Sequence, residues 1–198
     1  MLFRSVFFVE VLGIMPGLTA RLATPGARAV DVHCGGGRWL VAMARRFPAL
    51  ELLGVETVAD AAARAIENAR DAGLADRIRI EQRELAAMGH AGEFDLAYLQ
   101  FALHDVPDPA GELAAAWAAV RPGGRLLALD WCLPSTPEED RTPLGEMLWG
   151  AQLDQRMAGW SFHSREGFLA IFAAAGIPTP SVTELPSGAT VFAVDRPA

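Results

Sequence analysis

This sequence has only two cysteines, no excess of positive charge, no internal repeat and no low-complexity linker. Cys34 and Cys132 cannot make a disulfide framework. They fall at the ends of two different predicted strands and read as buried thiols of a reducing, cytoplasmic compartment. A net charge of −7 leaves no clustered basic face for nucleic acid. The four histidines, His33, His90, His104 and His163, are scattered without Cys or acid at ligand spacing, so no metal site is expected. Long apolar runs are missing too. Arg4 and then Val6–Ile14 imitate a secretion signal, but Glu10 interrupts the run and Pro16-Gly17 ends it short of a bilayer's thickness. An amphipathic helix over Ser5–Ile14 that covers the sheet fits better, within an N-terminal helical segment, residues 1–26, ahead of a domain at 27–198.

What is present is a strand–turn–helix signature. Ala27–Cys34 reads as a buried strand running into Gly35-Gly36-Gly37 and a helix from Arg38. Glycines permit tight positive-φ turns and let a ligand approach the main chain, and the free N–H groups of the next helix point back at the turn. Asp31, inside the strand, is expected to organise the loop through main-chain N–H groups. A dinucleotide fingerprint needs a third glycine at position 40, where the chain has Leu40, and it has no use for Asp31; a nicotinamide dehydrogenase is excluded on both counts.

Further elements alternate. Helices are predicted at Arg38–Phe47, at Asp60–Asp71 with Ala62, Ile66 and Ala69 on one side, and at Pro109–Val120. Strands are predicted at Leu50–Glu56, Arg77–Gln82, Phe94–Phe101 and Arg125–Trp131. The tail offers a long helix over Glu138–Ala158 with Leu144, Met147, Leu148 and Ala151 on one face. A helix capped by Ser164 follows, then a hairpin of Ser181–Leu185 and Ala189–Val194. The fold class is α/β: a doubly wound, mostly parallel seven-stranded sheet, helices on both faces, closed by an antiparallel hairpin.

Asp31, Gly35 and Gly37 match the first motif of the class I S-adenosylmethionine-dependent methyltransferases, which the chain resembles over nearly its whole length; His33 stands where that family usually has its first glycine. Glu56, 19 positions after Gly37, sits where the family places the acid that accepts both ribose hydroxyls. Glu84-Leu85 matches the adenine-binding position. The stretch Phe94–Phe101 followed by His104-Asp105 resembles the fourth strand and loop of small-molecule O-methyltransferases, in which a histidine acts as general base. Arg121-Pro122-Gly123-Gly124 resembles the family's turn before strand five. The amino-methylating N-P-P-Y loop is absent, Leu99-Gln100-Phe101-Ala102 standing there instead.

The resemblance implies S-adenosyl-L-methionine as cofactor, held by Asp31, Cys34, Gly35, Gly37, Glu56, Thr57, Glu84, Leu85 and Gln100. It implies His104 as base, and Asp105, Trp149 and Trp160 near a small, flat acceptor, with Trp131, Met147 and Phe162 in or near the same cover. Asp105 either orients His104 or caps the next turn. The expected activity is methyl transfer to a hydroxyl of a small molecule, with a homodimer as a possible assembly. The alternatives are a cofactor-binding protein with weak or no activity, motivated by His33, and an N-terminally incomplete methyltransferase.

Overall fold

The computed structural model describes residues 10–198, so the first half of the expected Ser5–Ile14 helix lies outside the described residues. Leu12–Ile14 forms one helical turn, and Pro16 opens a second helix, α1 (Pro16–Leu22), where the sequence placed a stop. A first-turn residue needs no intrahelical N–H bond, which is why proline is accepted there. Leu12, Leu18 and Leu22 are buried in the core on one face of the sheet, so the described part of the N-terminal segment packs as part of the same body.

Seven strands form that sheet in the order β3-β2-β1-β4-β5-β9-β8. They are β1 (Arg28–Val32), β2 (Glu51–Glu56), β3 (Ile78–Gln82), β4 (Phe94–Gln100), β5 (Val120–Asp130), β8 (Ser181–Glu184) and β9 (Thr190–Asp195). The first five are parallel; β9 runs antiparallel between β5 and β8. The Pro122-Gly123-Gly124 turn lies inside β5, at a register shift opposite Phe94 and Leu96. Two short strands, β6 (Cys132–Leu133) and β7 (His163–Ser164), pair beside the main sheet.

Helices cover both faces: α2 (Arg38–Arg46), α3 (Ala59–Asp71), α4 (Pro109–Ala119), α5 (Pro143–Met157) and α6 (Arg165–Ala174). Along β4, Leu96 and Tyr98 enter one core with Trp39, Leu40 and Met43 of α2, while Ala97 and Leu99 enter the other with Leu113 of α4 and Phe168 and Phe172 of α6. Burial on both faces explains why these strands read as continuous apolar runs. Each large side chain so enclosed contributes about 1.5–3 kcal/mol relative to exposure.

Two helical expectations change. The Glu138–Ala158 stretch is broken: a turn at Pro137–Asp140 is followed by α5, whose cap Thr142 accepts a hydrogen bond from Gly145 N at 3.0 Å. Pro143 has no N–H with which to continue the earlier turn. The restart rotates the buried face to Gly145, Leu148 and Gln152 and leaves Met147 50% exposed. In α3 the inward residues are Ala61, Ala62, Ala65 and Ala69, and Ile66 is 44% exposed. Ala65 faces the glycine turn, where its small size is needed: a Cβ added to Gly37 would come within 3.0 Å of Ala65 Cβ.

Candidate active site

The strand order reverses between β1 and β4, and the loops that leave their carboxyl ends diverge to opposite faces, opening a crevice there. The glycine turn follows β1, Glu56 ends β2, Gln100 ends β4 and Asp130 ends β5, so all four lie on the same edge of the sheet. Two non-glycine residues adopt left-handed backbone among the described residues, His33 (φ 58°) and Phe101 (φ 51°), one after each of the two strands that flank the reversal. Such conformations cost of order 1–3 kcal/mol and cluster at functional sites.

Gly35 (φ 53°) and Gly37 (φ 66°) shape the turn. Its fastening is Glu56, contrary to the expectation for Asp31: one carboxylate oxygen accepts from Gly35 N at 2.8 Å and the other from Val58 N at 2.9 Å. Glu56 reaches the turn because it ends the neighbouring strand, one position beyond the β1–β2 pair Val32–Val55. Asp31, paired mid-strand with Gly54 and Tyr98, takes no hydrogen bond from another described residue, and burial, with Glu56 nearby, pushes its pKa well above the usual carboxylate range.

The other cofactor candidates are placed as follows. Cys34 is half-buried, its N–H bonded to Val55 O at 3.0 Å, with its thiol toward Gly54, where burial raises its pKa. Cys132 is likewise half-buried, so neither thiol is as enclosed as the sequence implied. Thr57 and Glu84 are exposed at the rim, Leu85 is buried, and Gln100 accepts a hydrogen bond from the Tyr98 hydroxyl at 2.8 Å.

His33 swings into the neighbouring layer. Its Nε2 lies 3.4 Å from the Glu112 carboxylate on α4. Burial disfavours the imidazolium, but Glu112, with Glu56 and Glu84 behind it, outweighs burial and raises the pKa.

On the opposite side of the crevice, His104 is 6% exposed and its Nδ1 lies 2.7 Å from the carboxylate of Asp130. A carboxylate only accepts, so in the neutral ring the Asp130 contact places the proton on Nδ1 and the lone pair on Nε2. Asp105, the partner weighed from sequence, instead stands 3.4 Å from Nε2 at the exposed rim. Burial again disfavours the charged ring, and Asp130 and then Asp105 more than offset it, so the pKa of His104 is raised. The same Asp130 oxygen accepts from Trp131 N at 2.8 Å; its other oxygen is buried without a partner among the described residues. Sequence reasoning missed Asp130, although an acid at the end of an apolar strand is the signal that singled out Glu56.

An aromatic wall adjoins the imidazole. Phe162 stacks on it at 4.4 Å, Trp131 meets Phe162 edge-on at 6.4 Å, and Phe101 lies 4.3 Å from Trp131. The structure thus brings Phe162 onto the His104 ring. Trp149 is 47% exposed and donates to Asp140, and Trp160 bonds Gln155 O through its backbone; among the described residues neither contacts the His104 ring. The break ahead of α5 is what turns Trp149 outward.

A sheet of this order, with a buried acid inside β1, a glycine turn after it and an acid ending β2, is the frame of the class I S-adenosylmethionine-dependent methyltransferases. The chain belongs to the methyltransferase-domain family, whose pattern matches residues 12–177. It is 36% identical over 110 residues to the ubiquinone biosynthesis O-methyltransferase of Methylococcus capsulatus, covering 56% of this chain and 46% of that protein. It is 36% identical over 102 residues to the trans-aconitate 2-methyltransferase of Deinococcus radiodurans, covering 52% and 37%. The chain thus spans about half the length of these curated relatives, or less. Among solved structures, the apo S-adenosylmethionine-dependent methyltransferase SibL gives a TM-score of 0.74 at 22% identity over 100% of this chain and 55% of that one. The mitomycin 7-O-methyltransferase MmcR gives 0.72 at 22% identity, over 93% and 54%. These last likenesses concern the fold. No described helix is long and apolar enough to cross a membrane.

The crevice suits S-adenosylmethionine chemically. Asp31 is a buried acid whose side chain has no hydrogen-bond partner among the described residues, an environment that a cationic ligand group relieves. Glu56 spends one acceptor site on each oxygen and retains lone pairs for two hydroxyls. A Cβ added to Gly35 would meet nothing within 4 Å, so the turn faces open space.

Proposed function

We propose that the protein methylates a hydroxyl group of a small, flat acceptor, using S-adenosylmethionine, in the cytoplasm. The cofactor supplies an electrophilic methyl group on a sulfonium. Asp31 would face its positive charge, Glu56 would accept from the ribose hydroxyls, and Glu84, Leu85, Thr57 and Gln100 would hold the rest of the molecule. The glycine turn brings main chain against it without side-chain obstruction.

His104 performs the proton chemistry. As a methyl group is transferred to the acceptor, Nε2 would take the hydroxyl proton, and Asp130 would stabilise the imidazolium through Nδ1–H. The buried 2.7 Å contact between His104 and Asp130 is the observation that carries this reading. Phe101, Trp131 and Phe162 offer apolar, aromatic walls on which a planar acceptor stacks, and Asp105 stands at the entrance to Nε2. Trp149 and Trp160 belong to the outer cover of that site, and the unit that carries the chemistry is residues 27–198, with 1–26 as its helical lead-in. A homodimer closes the cover.

The test is methyl transfer to a panel of phenolic acceptors by wild type and His104→Ala, with S-adenosylhomocysteine binding measured alongside. Loss of at least a hundredfold in turnover with binding preserved supports the base, since such groups contribute about 10²–10⁴-fold. Turnover unchanged by the substitution overturns it.

A further inference from the structure

Gln152 is a buried amide on α5, and both of its ends are used. Its Nε2 donates to Ser161 Oγ at 3.0 Å and its Oε1 accepts from Phe162 N at 2.8 Å. Ser161 Oγ donates to Phe162 O at 2.9 Å, and Ser161 N donates to the backbone carbonyl of His104 at 3.2 Å. The loop that leaves α5 is therefore tied back to the helix on one side and to the His104 loop on the other. The product of that clamp is the position of Phe162, whose ring lies 4.4 Å from the imidazole with 30° between the planes. Phe162 is 5% exposed, and its ring covers a face of a histidine whose other fixed contact is Asp130 at the ring edge.

From this geometry we infer that Gln152 is a positioning residue for His104: through Ser161 and Phe162 it sets how far water reaches the imidazole and how the ring is aimed. Apolar side chains would fill the site beneath the loop equally well. An amide that satisfies an acceptor and a donor on two consecutive residues, Ser161 and Phe162, specifies one loop conformation. The consequence is directional. A ring with Phe162 against it is poorly hydrated and resists protonation, so release of Phe162 makes the imidazolium easier to form while Asp130, anchored on β5, stays in place.

The experiment is an NMR titration of the His104 imidazole in isotopically labelled protein, its signal identified by its loss in His104→Asn. Gln152→Met keeps the volume and removes both hydrogen bonds; it should raise the His104 pKa by about half a unit or more. Phe162→Leu should do the same, and Ser161→Ala should do so more weakly. Ser161→Thr keeps the hydroxyl and should leave the titration at its wild-type value. If Gln152→Met does not fold, Ser161→Ala and Phe162→Leu carry the test. An unmoved pKa in folded Gln152→Met, or in both remaining variants, overturns the inference. The kinetic counterpart rests on the reading of His104 as base: the acidic limb of turnover should move to higher pH in step. Should the titration move while wild-type turnover proves independent of His104, the clamp stands and the assignment of the base falls.

Discussion

The His33 ring reaches from the end of β1 to Glu112 on α4, with 3.4 Å between Nε2 and the carboxylate and both side chains 18% exposed. It does so from a left-handed backbone conformation that glycine would adopt freely. The folded pKa of His33 is raised above its ordinary value of about 6.5. The pairing therefore contributes stability fully below about pH 6.5, and that contribution is lost as pH rises through the raised folded value. In urea melts, Glu112→Gln should lie furthest below wild type at pH 6 and converge on it at higher pH. A difference that widens with rising pH would count against the pairing.

Glu56 fastens the turn, and the proposed function also gives it the ribose hydroxyls. Glu56→Ala should weaken S-adenosylhomocysteine binding by about 1–3 kcal/mol, roughly five- to 150-fold, by calorimetry. Wild-type affinity in the variant would remove Glu56 from the ribose and leave it only its bonds to Gly35 and Val58.

Asp130→Asn removes the carboxylate that raises the pKa of His104. The neutral ring is the working base, so the rise of turnover with pH should begin at lower pH in the variant. Its plateau should fall at least about tenfold as the developing imidazolium loses its counter-charge. Asp105→Asn should shift the limb the same way but less, because that carboxylate is half exposed. A limb that moves upward in either variant is incompatible with this assignment.

Two alanine substitutions in the glycine turn should separate fold from binding. At Gly37 a Cβ is both left-handed and 3.0 Å from Ala65 Cβ, so Gly37→Ala should lower the melting temperature more than Gly35→Ala, whose Cβ points into open space. Gly35→Ala should cost about 1 kcal/mol in stability and a larger share of cofactor affinity. Calorimetric melts and titrations of both variants provide the comparison.

The glycine turn, the β–α alternation, Glu56 and His104 were legible in the sequence because each is announced locally. Turn residues follow a strand, acids close apolar runs, and helical spacing stops at Pro or Gly. Where local signals compete, the reading slipped: Pro16 opens a helix, Pro143 splits one, and the split turns Trp149 and Met147 outward. Tertiary structure alone decided the partners. Asp130 meets His104 because β5 lies beside β4, and Glu56, not Asp31, fastens the turn because β2 lies beside β1. Gln152 on α5 accepts from Phe162 N, and α4 presents Glu112 to His33. The sequence determined which chemical groups stand at the ends of which strands. Which of them touch was decided by strand order and helix packing, non-local choices that bring residues tens of positions apart within hydrogen-bond distance.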